Sequence, residues 1–383
     1  MKLKNLTVEN FRSFDRFTLS DLGRVNLLVG TNNSGKTTIL EAAFILMSSQ
    51  KLSSIWHLLF RRGEVVPSQN GSNASIPTNR NADVRHLFKS HTIRDEDFFS
   101  LRGDTDIGFL ETRAKIKFTD NDTNTGDDSA SAGLFFEGIT QAKIRLALST
   151  RFELAGEEKL PTIEEVSLDD NGSLKSNSGR GPMSANPRQY NIAPYFSSAS
   201  WMSSEFISRQ YNDIVLTSEE ELVLEAIRIL SPNIERIAAV GSGTDWPGLP
   251  ARDGIFVRLA GVKDRVPIGS MGDGIWRMLG LALAVVHSQN RILLIDEVDT
   301  GLHHSVMGRM WRFLNECSKR FNIQIIATTH NRDCYQSLAT ICREGVIEES
   351  EVTIQRIERG SHEAVAYSEA EIIAAAERDI EVR

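Results

Sequence analysis

Apolar and polar positions along the chain fall into alternating strand-like and helix-like patterns. Leu3 to Phe11 and Arg24 to Val29 read as strands, and the second ends in the apolar positions Val25, Leu27, Leu28 and Val29 just ahead of a glycine-rich turn. Behind that turn Ile39, Leu40, Ala43, Phe44 and Met47 recur at three- and four-residue steps, which predicts a helix from about Lys36 that turns one face to a core. Thr112 to Phe118 and Ile144 to Leu154 alternate apolar and polar residues, as antiparallel strands with one wet face do. Pro67 to Asn81, Thr119 to Gly133 and Asp169 to Pro187 are dominated by Asn, Ser, Asp, Gly and Pro and read as loops.

Ser218 followed by Glu221 has the form of a capping box, and Leu222 to Leu230 continues it as a helix. Gly254 to Leu259 reads as a strand, Gly274 to Val286 as a helix, Ile292 to Ile295 as a fully buried strand and Met307 to Lys319 as a helix. Gln324 to Ala327 and Val352 to Ile357 read as further strands, and Glu369 to Glu377 as a closing helix. Strands alternating with helices predict an α/β fold with a mixed, mostly parallel central sheet, joined to a β-rich antiparallel lobe and a helical insert. Neither a solenoid-length repeat nor a long heptad run interrupts this pattern.

A chain of 383 residues with 40% apolar and 25% charged side chains can bury a large core. A formal charge of -8 argues against a surface that is basic throughout and leaves room for a local groove for DNA. Arg61, Arg62, Arg80, Arg85 and Lys89 are the candidates for such a groove. Cys317, Cys334 and Cys342 contain no CxxC pair, which fits free thiols in a reducing compartment. Glu9, Arg12 and Asp15 break any signal-peptide core, and Met278 to Val286 falls well short of the roughly 20 apolar residues of a membrane helix. A cytoplasmic protein without a membrane segment is expected.

Four motifs carry candidate chemistry. Gly30-Thr31-Asn32-Asn33-Ser34-Gly35-Lys36-Thr37 satisfies GxxxxGK[ST] between a predicted strand and a predicted helix. In such a loop Asn32, Asn33, Ser34, Gly35 and Thr38 surround the β- and γ-phosphates of ATP, Lys36 reaches the terminal phosphates, and Thr37 ligates Mg²⁺. Arg291 to Glu297 is an apolar strand ending in two adjacent acids: Asp296 can serve the metal, and Glu297 can face the attacking water as general base. Ser270, Gly272 and Gly274 precede a helix and offer a hydroxyl and backbone N–H groups to an anion. His330 ends the next apolar strand, placed to sense a γ-phosphate or orient water.

With these residues in this order, the sequence resembles the ABC-type ATPase heads of the RecF, SMC and overcoming-lysogenization-defect (OLD) families, most closely the OLD-like group. The opening Leu6-Thr-Val-Glu-Asn-Phe-Arg-Ser-Phe14 looks like their first strand, and the resemblance implies that Arg12 and Ser13 lie near the nucleotide. It also implies a signature loop at Ser270 to Gly274, a subunit interface at Asp299 and His303, and an OLD-like tail at Ile380 to Arg383. Only 260 positions separate Lys36 from Asp296, too few for long SMC arms, and the 53 residues after His330 are fewer than a Toprim nuclease domain needs. Gln141 is one candidate for the glutamine loop.

The expected organisation is a single ATPase head over 1–383, with a core lobe from 1–50 and 275–383 and a divergent insert at 51–274. The resemblance implies an ATPase using ATP and Mg²⁺, a homodimer or higher oligomer around nucleotide, and a separate effector such as a Toprim nuclease. The ATPase component of the anti-phage system PARIS is similar in this respect. The competing implication is a RecF-like DNA clamp or loader.

Overall fold

A computed structural model describes residues 1–48, 51–67, 80–119, 143–154, 157–169, 171–174, 194–198, 203–240, 254–346, 351–378 and 380. Most of the three loops read from composition, Gln141 and the last three residues of the tail lie outside the described residues. The chain opens with β1 (Leu6–Phe11), β2 (Phe14–Leu19), β3 (Val25–Val29), α1 (Lys36–Met47) and α2 (Lys51–Arg62). β4 (Val65–Pro67), β5 (Arg80–Asp83), β6 (Phe98–Asp104), β7 (Gly108–Thr119), β8 (Lys143–Leu154), β9 (Glu157–Ser167), β10 (Ser173–Leu174) and β11 (Tyr195–Ser198) follow. Next come α3 (Ser204–Asn212), α4 (Ser218–Arg228), β12 (Ile234–Ala239), β13 (Ile255–Leu259), β14 (Val266–Pro267) and α5 (Asp273–Val286). The last elements are β15 (Ile292–Asp296), α6 (His304–Arg320), β16 (Gln324–Thr328), α7 (Arg332–Arg343), β17 (Val352–Arg356), β18 (Val365–Tyr367) and α8 (Glu369–Glu377).

The central sheet runs β11-β15-β16-β3-β17-β18, parallel except for its last strand. Its four middle strands are buried on both faces. Val25, Leu27, Leu293, Ile295, Ile325 and Ala327 join the core beneath α5, α6 and α7. Leu28, Ile292, Leu294 and Ile326 point the other way into a second core. This period-two division of one apolar run between two layers is what a sheet covered on both sides requires.

The second layer is an antiparallel sheet, β2-β1-β6-β7-β8-β9. Helix α1 lies between the sheets, in contact with β15 and β16 on one side and with β1, β6 and β7 on the other. Its sequence period suggested a single apolar face, but nine of its positions, from Thr38 to Met47, are buried. A helix between two sheets has no wet side, so its moment is lost in uniform apolarity.

Layers and chain order therefore differ at the proposed boundary of residues 50 and 275. β1 and β2, assigned to the core lobe, are part of the antiparallel sheet, whereas β11, inside the proposed insert, completes the parallel one. The capping box at Ser218 is also corrected. Thr217 is the N-cap, its hydroxyl accepting the Glu219 N–H, and Ser218 is already helical. The capping box in the structure is Ser368 with Glu371, at the start of α8. All three cysteines are free and buried.

The two layers are tied by Gln324, which is 1% exposed on β16. Its amide oxygen accepts the Leu3 N–H at 2.7 Å, and its nitrogen donates to the carbonyls of Leu3 at 2.7 Å and Gly23 at 2.8 Å. Gln324→Leu removes the partner of the Leu3 N–H and carbonyl in a dry site, while the Gly23 carbonyl keeps the Asn26 amide at 3.0 Å, at a cost of about 2–4 kcal/mol. Equilibrium denaturation should register this loss, while Gln324→Glu should keep part of the tie; wild-type stability in the leucine variant would contradict it.

Candidate active site

The parallel register brings the ends of β3, β15 and β16 to one edge, because Ala327 pairs with both Leu27 and Ile295. Loops leaving that edge converge, as ligand sites in such sheets do. The first is the glycine loop. Gly30 has φ 146° and Gly35 φ 101°; a Cβ on the former would lie 2.3 Å from the Ile357 carbonyl oxygen, and on the latter 2.3 Å from the Phe14 ring. No side chain fits at either place. Lys36 Nζ donates to the carbonyls of Gly30 and Thr31 at 2.8 Å each, so the loop wraps its own lysine. Burial holds the Lys36 ammonium below the usual lysine range, opposed by Asp296 and Glu297.

Asp296 ends β15 and meets α1 directly. Thr37 Oγ1 lies 3.1 Å and 3.2 Å from its two carboxylate oxygens, and Thr328 Oγ1 donates to Oδ1 at 2.7 Å. The next residue departs from the strand. Glu297 has φ 51°, a left-handed conformation uncommon for a residue with a side chain. Its N–H donates to Thr328 Oγ1 at 2.8 Å, and its carbonyl accepts Arg277 Nη2 at 2.7 Å. Arg277, on α5, also donates to the Asp296 carbonyl at 3.0 Å. Burial lowers its guanidinium to about 10, with Asp299, Asp296 and Glu297 opposing that shift. The Glu297 carboxylate is half exposed, 3.9 Å from His330 Nδ1, and accepts the Thr300 hydroxyl at 3.1 Å.

Together these groups line a cavity of about 380 Å³ formed by residues 32–38, Arg62, Asp296, Glu297, Thr328, Thr329 and His330. Asn32, Asn33, Ser34, Gly35, Lys36, Thr37, Thr38, Asp296, Glu297 and His330 are thus brought together as the sequence suggested. The donor set fits a polyphosphate with a hard cation. Lys36 supplies charge, and among the described residues the N terminus of α1 has no side-chain cap and buried Ser34 Oγ no hydrogen-bond partner. Thr37 and Asp296 offer oxygen to Mg²⁺, an ion that takes few protein ligands and completes its shell with phosphate and water.

Other expected site residues lie elsewhere. Arg12 and Ser13, expected near the nucleotide, do not line this cavity. Arg12 is itself left-handed, with φ 53°, and is buried, its Nε 2.6 Å from Glu41 and its two Nη atoms 2.8 Å and 3.0 Å from the Glu64 carboxylate. Ser13 is exposed. Glu41 is wholly buried on α1 and also pairs with Arg62, and it is Arg62 that reaches the cavity. Burial pushes the Glu41 carboxyl up while Arg12 and Arg62 pull it down.

Ser270, Gly272 and Gly274 form an exposed to half-buried turn outside this cavity, with Gly272 at φ 91° and the Ser270 hydroxyl donating to the Pro267 carbonyl at 2.7 Å. Asp299 turns inward instead, accepting the buried Thr329 hydroxyl at 2.7 Å, and His303 caps α6. Of the candidate basic groove, Arg62, Arg85 and Lys89 each pair with a carboxylate of this chain, and the Arg80 side chain is outside the described residues. Among the described residues no helix is long and apolar enough to cross a membrane.

A glycine loop between strand and helix, an acid-ended strand two places away in the sheet and a histidine just beyond the strand between them define a P-loop ATPase fold. The family described as "AAA domain, putative AbiEii toxin, Type IV TA system" matches residues 25–332, and the chain belongs to it. The "ATP/GTP phosphatase" of Helicobacter pylori (strain ATCC 700392 / 26695) is 22% identical over 378 residues, 89% of either chain. "DNA replication and repair protein RecF" of Clostridioides difficile (strain 630) is 50% identical over 46 residues, 12% of each chain. Among solved structures, the SMC head domain from Thermotoga maritima is 17% identical, covering 96% of this chain and 99% of that one, with a TM-score of 0.41.

Arg62 was marked in the sequence only for a basic groove and Arg277 not at all, since nothing marks an arginine that will face phosphates or a strand end across the fold. Arg62→Gln should weaken ATP binding about tenfold or more, the worth of a charge-assisted hydrogen bond, and should weaken ADP binding less. Calorimetric titration of both nucleotides checks this; equal affinities for variant and wild type would remove Arg62 from the site.

Proposed function

We propose that this chain is a Mg²⁺-dependent ATPase whose copies pair around nucleotide, and that the pairing controls a separate effector protein. The observation that carries the hydrolytic part is the contact between Thr37 and Asp296, which joins the phosphate loop to the acid-ended strand and sets Glu297 at the cavity mouth. Lys36 neutralises the terminal phosphates, and the N terminus of α1 adds its dipole. Thr37 and Asp296 would hold Mg²⁺, which when bound would further neutralise charge on the phosphate oxygens. Glu297 takes a proton from the attacking water, and His330 beside it orients that water or the γ-phosphate.

The exposure of Ser270 and Gly272 supports the pairing. A hydroxyl and a helix N terminus facing solvent can close over a phosphate held by a second copy, and cleavage of that phosphate then lets the pair reopen. Resemblance to OLD-like ATPases supports a sensor or scaffold in anti-phage defence, acting on an effector such as a Toprim nuclease. The RecF-like alternative needs a free basic surface, and the pairing of Arg62, Arg85 and Lys89 weighs against these residues providing one.

Glu297→Gln should lower turnover about 10²–10⁴-fold, the usual worth of a general base, while ATP binding persists. Light scattering of that variant with ATP and Mg²⁺ should show an enlarged assembly that Ser270→Arg abolishes. Undiminished turnover in the glutamine variant would end the assignment of Glu297, and an assembly indifferent to Ser270 would end the pairing model.

A further inference from the structure

One hydroxyl touches both carboxylate residues of the site. Thr328 Oγ1 accepts the Glu297 N–H at 2.8 Å and lies 2.7 Å from Asp296 Oδ1. An amide N–H cannot accept, so the hydroxyl proton has Asp296 as its target. Thr328 is 1% exposed at the end of β16, one residue beyond the pairing of Ala327 with Ile295, and so lies level with Asp296. The next hydroxyl, on Thr329, cannot replace it, because it is committed to Asp299 at 2.7 Å.

Glu297 needs such a hold. Its φ of 51° is a conformation that persists only where the surroundings impose it. Its carbonyl is held by Arg277 at 2.7 Å, and Thr328 holds the N–H, so the unusual residue is pinned at both ends. Thr37 approaches Asp296 from α1 at 3.1 Å, and the Thr328 proton fixes the carboxylate from the other side.

We propose that Thr328 is a positioning residue of the hydrolytic site. Its single hydroxyl orients the Asp296 carboxylate toward Thr37 and locks Glu297 in the left-handed turn that sets its carboxylate at the cavity beside His330. The inference rests on the hydrolytic reading for its consequence, although the hydrogen-bond geometry is independent of turnover. No bond to Thr328 forms or breaks.

The test compares Thr328→Val, which keeps the shape and removes the oxygen, with Thr328→Ser, which restores it. Hydrogen exchange of nucleotide-free protein, followed in overlapping peptides across residues 293–300, reads the Glu297 amide directly. That amide should exchange about tenfold or more faster in the valine variant and at the wild-type rate in the serine variant. Turnover should fall about 10–100-fold in the valine variant with ATP affinity within about threefold of wild type, and serine should recover most of the loss. Should valine fail to fold, Thr328→Ala removes the same oxygen and is held to the same outcomes.

Unchanged exchange at Glu297 in the oxygen-free variants overturns the proposal, as does a turnover loss that serine fails to repair. A wild type without ATP turnover would remove the hydrolytic reading instead, and the exchange comparison then decides alone whether Thr328 holds Glu297.

Discussion

The contact between the Thr37 hydroxyl and the Asp296 carboxylate is the point on which the rest of the site depends. It spans 259 positions of sequence and joins the first turn of α1 to the end of β15. Only a parallel sheet puts those ends together, since β3 and β15 must both finish at one edge with β16 between them. A carboxylate on top of a dry sheet is costly unless hydroxyls, a cation or both meet it. Thr37, Thr328 and the nearby Lys36 are that compensation, so the charge pattern that serves phosphate chemistry also makes the sheet edge tolerable.

A second compensation sits one layer deeper. Glu41, midway along α1, is wholly buried between the sheets, and Arg12 and Arg62 close around it from the turn after β1 and from the end of α2. Breaking one member of such a group leaves a charge without its partner, which is far costlier than never having built it. Arg62 thus has two demands on it, Glu41 within the fold and the cavity it lines. Arg12 meets only the first, because Glu64 takes its remaining nitrogens.

Much of this was legible in the sequence, for reasons that separate local from distant causes. The glycine loop, the acid-ended strand and His330 are short segments whose residue types follow from the turn they make, and the structure assembles them around one cavity. Helix α8 was readable to its ends because Ser368 and Glu371 cap it locally. The burial of α1 on all sides was hidden because two sheets from distant segments cover it. The partners of Arg12 were hidden for a related reason. Its place just after β1 says nothing of the acids at 41 and 64 that capture its guanidinium.

The same distinction explains why Thr328 and Arg277 drew no notice. Each works through backbone atoms of another segment, and neither the threonine ending a β-branched strand nor the arginine in an apolar helix has any local signature of that work. Glu297 is where local rules fail, since a residue with a side chain takes a left-handed backbone at the end of an extended run. Local conflict of this kind survives where neighbouring structure imposes it, and it tends to mark working parts of a protein. Here the imposing groups come from α5 and β16, the two elements that also carry the neighbours of Ser270 and His330. The orientation of the base is therefore set by the helix behind the exposed serine turn and the strand beneath the histidine, rather than by the strand that bears it.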